Sequence, residues 1–350
     1  MLVSRRLRLP TSSLRFFSSS HSSIPSRLTR DDVDFLWNPP EKYMDDFMKY
    51  HGQYRTVFKS GDLAQWQNSF DDDYTWMLMC LKGTTRPVAT SHTCVFRPLK
   101  AVNKPILFMG FGWIDEEFRK LGVAPVLNQM CLEKVPNEKT NIVSQINEPG
   151  RAFWHYMCNK PDDEDIGSGA MEVGYKSFYK SDLIQMPKNL GVEDITVQNA
   201  RDVPKKDIIR YDQKIHPYHR ERYIISHLHD RDGFGKVAYD DDGKVCGIAQ
   251  AVIYPAGDCN IGPLYGESTR VVQAMFASIL KDIRASGKTV TQFEVRSGQL
   301  CKDSFHWITP FLKCKPSREH VCNLVYKHWA PRDIDFSKVY CPTHAQLFLV

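Results

Sequence analysis

The segment WIDEEFRKLGVA, residues 113–124, decides the fold prediction. It overlaps the end of an apolar run over residues 105–114, which predicts a strand, and the glycines Gly110 and Gly112 in that run are typical of a bulged or splayed strand. Apolar residues then recur at helical spacing over residues 122–134. Small residues where this helix begins let a ligand approach the backbone, and the free amides of a helix N-terminus attract an anion such as a pyrophosphate.

The string Arg119-x-x-Gly122-x-Ala124 resembles the cofactor loop of the GNAT acetyltransferase superfamily, which reads Arg/Gln-x-x-Gly-x-Gly/Ala after a splayed fourth strand. Phe118 is similar to the aromatic residue that often precedes that arginine in the family. The resemblance implies that acetyl-CoA or another acyl-CoA is the co-substrate. It assigns cofactor contacts to Ile114, Arg119, Lys120, Leu121, Gly122, Val123 and Ala124.

A second match follows the strand predicted over residues 141–146. Asn147, Ala152 and Tyr156 are spaced as in the GNAT pattern of an asparagine, an alanine and a tyrosine four residues after the alanine. The resemblance implies that Asn147 contacts the pantetheine arm and that Tyr156 is the general acid that protonates the leaving thiolate. The family's closing glycine-phenylalanine is replaced here by Met157-Cys158-Asn159. Packing of a short aromatic helix explains Tyr156 equally well.

The general base is not fixed by the sequence. Glu116 is a candidate, and so are its neighbours Asp115 and Glu117, which precede the loop, and His92 on a neighbouring predicted strand. A general acid or base contributes about 10²–10⁴-fold to such a reaction. Backbone amides of the splayed strand are the expected donors to the thioester oxygen. Solvated loop acids and a structural strand histidine remain the simpler explanations of these residues.

The second half repeats the same order of predicted strands and helices. The segment NIGPLYGES, residues 260–268, leads into an amphipathic helix over residues 269–284, and it resembles the C-terminal domain of YitH-type acetyltransferases. Gly262 and Gly266 either shape a turn or let a backbone approach phosphate, but no Arg-x-x-Gly-x-Gly/Ala loop is present. This half is therefore interpreted as a degenerate GNAT-like domain.

The fold class predicted from these patterns is α/β, with two tandem GNAT-like domains. Each has a mixed, mainly antiparallel sheet with a splayed central strand and flanking helices. The predicted catalytic domain covers residues 31–185, and the degenerate domain covers residues 190–350. Residues 31–70 are predicted to be helical, with a break at Pro39-Pro40.

The first thirty residues differ from the rest in composition. They contain six arginines, nine serines and no acidic residue, which is typical of an organelle transit peptide. The string Arg15-Phe16-Phe17-Ser18 resembles a mitochondrial presequence cleavage site, so residues 1–30 are predicted to be a presequence and the location to be the mitochondrial matrix. The remaining chain has 40 basic and 41 acidic residues. This balance argues against a nucleic-acid partner, which needs a clustered basic surface.

Neither a metal nor a membrane span is predicted. The ten cysteines include no Cys-x-x-Cys pair, and the apolar runs are shorter than the roughly 18–20 residues of a transmembrane helix. Four histidines, His216, His219, His227 and His229, are not spaced to put three on one helical face.

The function predicted from the sequence is acyl transfer from acyl-CoA to a small-molecule or peptide amine. Two alternatives remain. One is a glycine-conjugating acyltransferase, which has a related fold and uses longer acyl groups. The other is a non-catalytic protein that binds CoA or a partner. The acceptor and the oligomeric state are not indicated.

Overall fold

The protein, described by a computed structural model, divides into two halves with the same order of elements. The structure describes residues 27–51, 59, 61–100, 104–133, 135, 140–146, 172–230 and 232–343. The elements of the first half are β1 (Val33–Trp37), α1 (Glu41–His51), α2 (Asp62–Phe70), β2 (Tyr74–Leu81), β3 (Pro87–Phe96), β4 (Ile106–Ile114), α3 (Val123–Leu132), β5 (Asn141–Ile146) and β6 (Glu172–Lys180).

The second half begins after β6. Its elements are β7 (Thr196–Asn199), α4 (Lys205–Ile215), α5 (Glu221–Ile225) with a π-helical turn (Ser226–Asp230), β8 (Lys236–Tyr239), β9 (Val245–Ile253), β10 (Asp258–Gly266), α6 (Thr269–Ser286), β11 (Gln292–Gly298), β12 (Arg318–Tyr326) and β13 (Val339–Cys341). Two short 3-10 turns, Lys302–Phe305 and Thr309–Phe311, lie between β11 and β12.

The prediction that residues 31–70 are helical is wrong for the first part of that range. Residues 30–32 form only a 3-10 turn, and Val33–Trp37 pairs antiparallel with β2. Asn38 has a positive φ of 46°, and its side chain accepts a hydrogen bond from the Trp76 amide at 2.7 Å. Because an edge strand gains its backbone partners from β2, pairing overrides the local helical signal.

One continuous sheet runs through both halves, with the order β1-β2-β3-β4-β5-β12-β6-β11-β10-β9-β8-β7 and β13 beside β10. Two pairs of strands are parallel, β4 with β5 and β10 with β11, and the other described pairs are antiparallel. The predicted α/β class, with a mixed, mainly antiparallel sheet and flanking helices in two halves, is confirmed.

The halves exchange strands at the centre of this sheet. β12, from the second half, lies between β5 and β6 of the first half, and β6 lies between β12 and β11. β6 pairs with β11 over seven residue pairs, from Lys180↔Gln292 to Gly174↔Gly298. Separating the halves would therefore break three sets of backbone hydrogen bonds in the interior of the sheet, those of β5 with β12, β12 with β6 and β6 with β11.

Helices cover both faces of the sheet. On one face, α1, α2, α4 and α5 bury a shared core to which both halves contribute, including Trp66, Trp76, Tyr211, Tyr223 and Tyr265. On the other face, α3 covers the first half and α6 covers the second. The shared core and the exchanged strands make the two halves one packing unit.

A buried ion pair lies within the shared core. Arg220, 2% exposed, donates from Nε to Asp212 Oδ2 at 2.9 Å and from Nη2 to Asp212 Oδ1 at 2.5 Å. The Tyr265 hydroxyl accepts a further bond from Nη2 at 3.3 Å. This pair links the end of α4 to the start of α5, so its role here is structural.

Candidate functional site

Strands β4 and β5 separate in the middle of the first half. They pair in parallel from Ile106↔Asn141 to Met109↔Ser144, and β4 then continues to Ile114 paired with β3 alone. Among the described strands, none pairs with the other edge of β4 beyond Met109. A Cβ placed on Gly112 would have no neighbour within 4 Å. The first cleft, between the parted ends of β4 and β5, therefore presents backbone groups of β4 to a ligand.

The loop after β4 is closed by its own side chains. Asp115 accepts a hydrogen bond from the Glu117 amide at 2.9 Å, and Arg119 donates from Nε to the Ile114 carbonyl at 3.2 Å. Lys120 and Gly122 have positive φ angles of 70° and 84°. Glycine adopts this conformation without a steric penalty, so Gly122 lets the chain turn directly into α3.

The seven residues assigned to the cofactor by the sequence lie together at this junction. Gly122 is the N-cap of α3, and none of the described backbone contacts outside the helix uses the N–H groups of Gly122, Val123 or Ala124. Pro125 has no N–H, so these three are the donors that the first turn offers. Lys120 and Arg119 are exposed beside them. The junction has the donors and the charge to hold a phosphate group.

Residues 27–32, here called the N-terminal strap, pack against the same loop. The Leu28 amide donates to the Leu121 carbonyl at 2.7 Å, and the Leu28 side chain, 3% exposed, is buried with Phe118 and Val123. Thr29 and Asp32 form a capping box. Residues 27–30 therefore belong to the folded body. The presequence predicted over residues 1–30 overlaps these four residues, although Thr29-x-x-Asp32 has the spacing of a helix-start signal.

Replacing Leu28 with alanine is expected to destabilise the protein by about 2–5 kcal/mol and to weaken cofactor binding. The reason is that removing the Leu28 side chain leaves a cavity directly beneath the loop. Arg30→Ala is the matched control, since Arg30 is exposed and its described side-chain contacts are an ion pair with Glu133 at 3.9 Å and a cation–π contact with the Phe35 ring at 5.9 Å. Denaturant unfolding and acetyl-CoA titration measure both effects. If Leu28→Ala behaves like the control, the strap does not support the loop.

The candidate bases occupy different surroundings. Glu116 is exposed and lies 3.4 Å from Arg119 Nη1, Glu117 pairs with Arg86, and Asp115 caps the loop. Each of these three acids therefore has a local contact, and the exposed pair of Glu116 is the weakest of them.

His92 is 1% exposed and stands opposite Gly110, where β4 begins to part from β5. Its Nδ1 lies 3.3 Å from the Tyr74 hydroxyl. Asn147 and Tyr156 lie outside the described residues.

The corresponding cleft in the second half is filled by the chain itself. β10 and β11 pair in parallel from Asp258↔Gln292 to Asn260↔Glu294, and β13 then takes the free edge of β10, with Leu264↔Cys341 and Tyr265↔Val339. A Cβ on Gly262 would lie 2.0 Å from the Pro342 carbonyl oxygen. Gly262 does permit a close backbone approach, but the backbone is that of residues 339–343.

The start of α6 is covered as well. β10 leads into α6 without an intervening loop, and Ser268 caps the helix. Glu267 forms an ion pair with Lys338 at 2.8 Å, and the Tyr340 hydroxyl lies 3.2 Å from Thr269 Oγ1. A carboxylate at the helix N-terminus disfavours a phosphate there. The second half therefore has the fold of the first without its open cleft.

The histidines considered as metal ligands are dispersed. His216 is buried against Phe96 and Tyr218, and His227 Nε2 lies 3.1 Å from the Gly262 carbonyl. Across the part of the chain that the structure describes, no group of three or more His, Cys, Asp or Glu residues is arranged to hold a metal. In the same described ranges, no helix is both long and apolar enough to cross a bilayer.

The family model for a protein of unknown function, DUF1248, matches residues 30–215, just over half of the chain. The chain belongs to the DUF1248 family. The match includes residues 30–32 of the strap, the first cleft and the loop before α3. No curated protein sequence matches this DUF1248 protein.

Solved structures resemble the DUF1248 protein over most of its length. A candidate acetyltransferase from Pyrococcus horikoshii has a TM-score of 0.62 at 15% identity and covers 92% of this chain and 98% of its own. A tandem GNAT protein of the clavulanic acid biosynthesis pathway has a TM-score of 0.56 at 9% identity, covering 85% and 99%. Saccharomyces cerevisiae N-myristoyltransferase with bound myristoyl-CoA has a TM-score of 0.57 at 11% identity, covering 93% and 87%. At these identities the likeness establishes the tandem GNAT fold.

Proposed function

We propose that this DUF1248 protein is an acyl-CoA-dependent N-acyltransferase whose first half binds the cofactor, with acetyl-CoA as the simplest donor. The observation that carries the proposal is the contrast between the two clefts. Among the residues that the structure describes, the first is open beside a loop with free helix N-terminal amides, whereas the second is filled by β13. The GNAT fold of the chain supports the same reading.

In the proposed complex the pyrophosphate lies against the amides of Gly122, Val123 and Ala124, with Arg119 and Lys120 beside it. The pantetheine arm follows the free edge of β4, where Asn147 is the further contact implied by the GNAT resemblance. This arrangement uses the open backbone groups of β4, which otherwise lack a strand partner in the described residues. The thioester then lies beside residues 110–113.

The reaction needs modest chemistry. The amine nitrogen bonds to the thioester carbon, and the oxygen becomes an oxyanion that β4 amides between Gly110 and Trp113 stabilise. The carbon–sulfur bond then breaks, the nitrogen loses its proton to a base, and the thiolate is protonated. His92, in register with Gly110, is the first candidate base and Glu116 the second. Tyr156 is the proposed acid.

Calorimetric titration of the full chain with acetyl-CoA tests the proposal, followed by an amine screen that detects the free thiol of CoA. Micromolar binding of one cofactor per chain and amine-dependent thiol release are expected. Binding without turnover on any amine would leave a CoA-binding protein. No binding up to millimolar cofactor would end the enzyme proposal. Preference for glycine and longer acyl-CoA would mark the glycine-conjugating alternative.

Two sequence predictions stay proposals. A mitochondrial presequence before the strap is supported by the arginine-rich, acid-free composition of residues 1–26. N-terminal sequencing of the protein recovered from mitochondria would locate the cut, which we expect upstream of Arg27. The YitH-type likeness of the second half is supported by the segment over residues 260–268 and its following helix.

A further inference from the structure

A cavity of about 360 Å³ lies between α1 and α2 above β2 in the first half. Its volume is in the range of small-molecule sites. Tyr74, Trp76 and Leu63 line it and are 1–3% exposed. Met44 and Met48 line it from α1. Methionine side chains adapt to irregular apolar ligands, so the lining suits a carbon skeleton better than a polar group.

The cavity lies on the sheet face that leads to the first cleft. Tyr74 contacts His92, which stands opposite Gly110 at the point where β4 parts from β5. Phe47 packs edge-on against Trp76 at 5.5 Å and against Trp113 of β4 at 5.6 Å, measured between ring centroids. Because β3 alone separates β2 from β4, the two sites are about 10 Å apart in the sheet. A small molecule spans that distance.

The charge near the cavity favours a cation. Asp45, which is exposed and lines the cavity, has no ion-pair partner among the described residues. Lys59 also lines the cavity, but its ammonium forms an ion pair with the Asp232 carboxylate at 3.7 Å and donates to the Asp232 carbonyl at 2.7 Å. An uncompensated carboxylate at a cavity mouth raises the local concentration of cations such as protonated amines. It has no such attraction for the acyl chain of an anionic acyl-CoA.

We propose that this cavity holds the apolar carbon skeleton of the amine acceptor, so that the substrate class is a hydrophobic amine. Asp45 attracts the ammonium form to the mouth, and the skeleton lies against Tyr74, Trp76 and the two methionines. The assignment of the amine as acceptor rests on the proposed function. Binding of the skeleton to the cavity does not.

The test uses n-alkylamines from propylamine to octylamine, titrated into the protein with and without CoA, which carries no acyl group to transfer. Each added methylene that enters the cavity is expected to raise the affinity about fourfold. Ala64→Trp, which narrows the exposed mouth, is expected to flatten this series. Asn68→Trp is the matched control, because Asn68 is exposed one turn further along α2 and does not line the cavity.

Charge is tested with Asp45→Asn, which is expected to weaken octylamine binding several-fold and to leave octanol binding unchanged. The alternative occupant of the cavity is the acyl chain of the acyl-CoA. It is tested by measuring the affinities of acetyl-, butyryl- and hexanoyl-CoA. A rise in affinity with acyl length that Ala64→Trp abolishes would overturn the proposal. So would an alkylamine series that is flat in the unaltered protein. If affinity rises with alkyl length but the protein does not bind CoA, the proposal that the cavity binds a hydrophobic amine is supported and the proposal of acyltransferase activity is refuted.

Discussion

Replacing Gly122 with aspartate is expected to abolish acetyl-CoA binding while the protein stays folded. Aspartate at the N-cap of α3 must adopt the positive φ of 84° found there, at a cost of about 1–2 kcal/mol, and its carboxylate lies beside the free amides of the first turn. A Cβ at this position meets nothing closer than Arg27 Nε at 3.5 Å. The same carboxylate then occupies the amides that the phosphates need and adds a like charge, worth about 4 kcal/mol at 4 Å near a protein surface. Affinity should fall about a thousandfold.

Gly122→Asn tests whether Gly122→Asp weakens acetyl-CoA binding through the charge of the new side chain or through its size. Asparagine is nearly isosteric with aspartate and tolerates the positive φ of 84° that both variants must adopt. The asparagine protein should therefore retain most of its affinity, and both variants should melt at similar temperatures. Equal affinity of the two variants in calorimetry would place the cofactor phosphates elsewhere.

The parts of the fold that the sequence predicted are those with strong local signals. Strand β5 over residues 141–146, the helix after Gly122 and the long helix after Ser268 were all expected from periodicity and capping. The loop between β4 and α3 was expected because a glycine and small residues follow an apolar strand. Local patterns of this kind depend on a dozen residues, which a sequence shows directly.

Long-range pairing could not be predicted in the same way. β12 was not predicted. Nothing in its nine-residue sequence indicates that it pairs with β5 and β6 of the other half. β13 has only three residues, too few for a periodic signal. Its position is fixed by contacts with β10 more than seventy residues earlier in the chain. The strand exchange and the filled second cleft are consequences of tertiary packing, which a local pattern does not encode.

For the candidate site, the sequence located the loop and its glycine but not what surrounds them. Residues 27–30 were assigned to a presequence on composition, although Leu28 is buried beneath the loop. Composition describes a whole segment and does not resolve where folding begins within it. Likewise, Asp115, Glu116 and Glu117 were candidate bases because they precede the loop in sequence, whereas the position of His92 opposite Gly110 follows from strand pairing.

Replacing Gly262 with alanine is expected to expel β13 from the second cleft. The added Cβ would lie 2.0 Å from the Pro342 carbonyl oxygen, a backbone atom that cannot rotate away. Either residues 339–343 leave β10 or the cleft deforms, and overpacking of a buried site costs about 1–3 kcal/mol or more. Denaturant unfolding should register this loss. The Cys341 thiol, fully buried beside β10, should then react with a thiol reagent.

Gly112→Ala is the matched control, because Gly112 lies on β4 in the first half and its added Cβ would meet nothing within 4 Å. Stability should stay within about 0.5 kcal/mol of the unaltered protein. Cys314 is exposed, so the thiol reagent should label it equally in the unaltered protein, Gly262→Ala and Gly112→Ala, which makes it the internal standard for labelling. If Gly262→Ala is as stable as Gly112→Ala and its Cys341 stays protected, β13 does not fill the cleft. The edge of β10 beside the start of α6 would then be open in the second half.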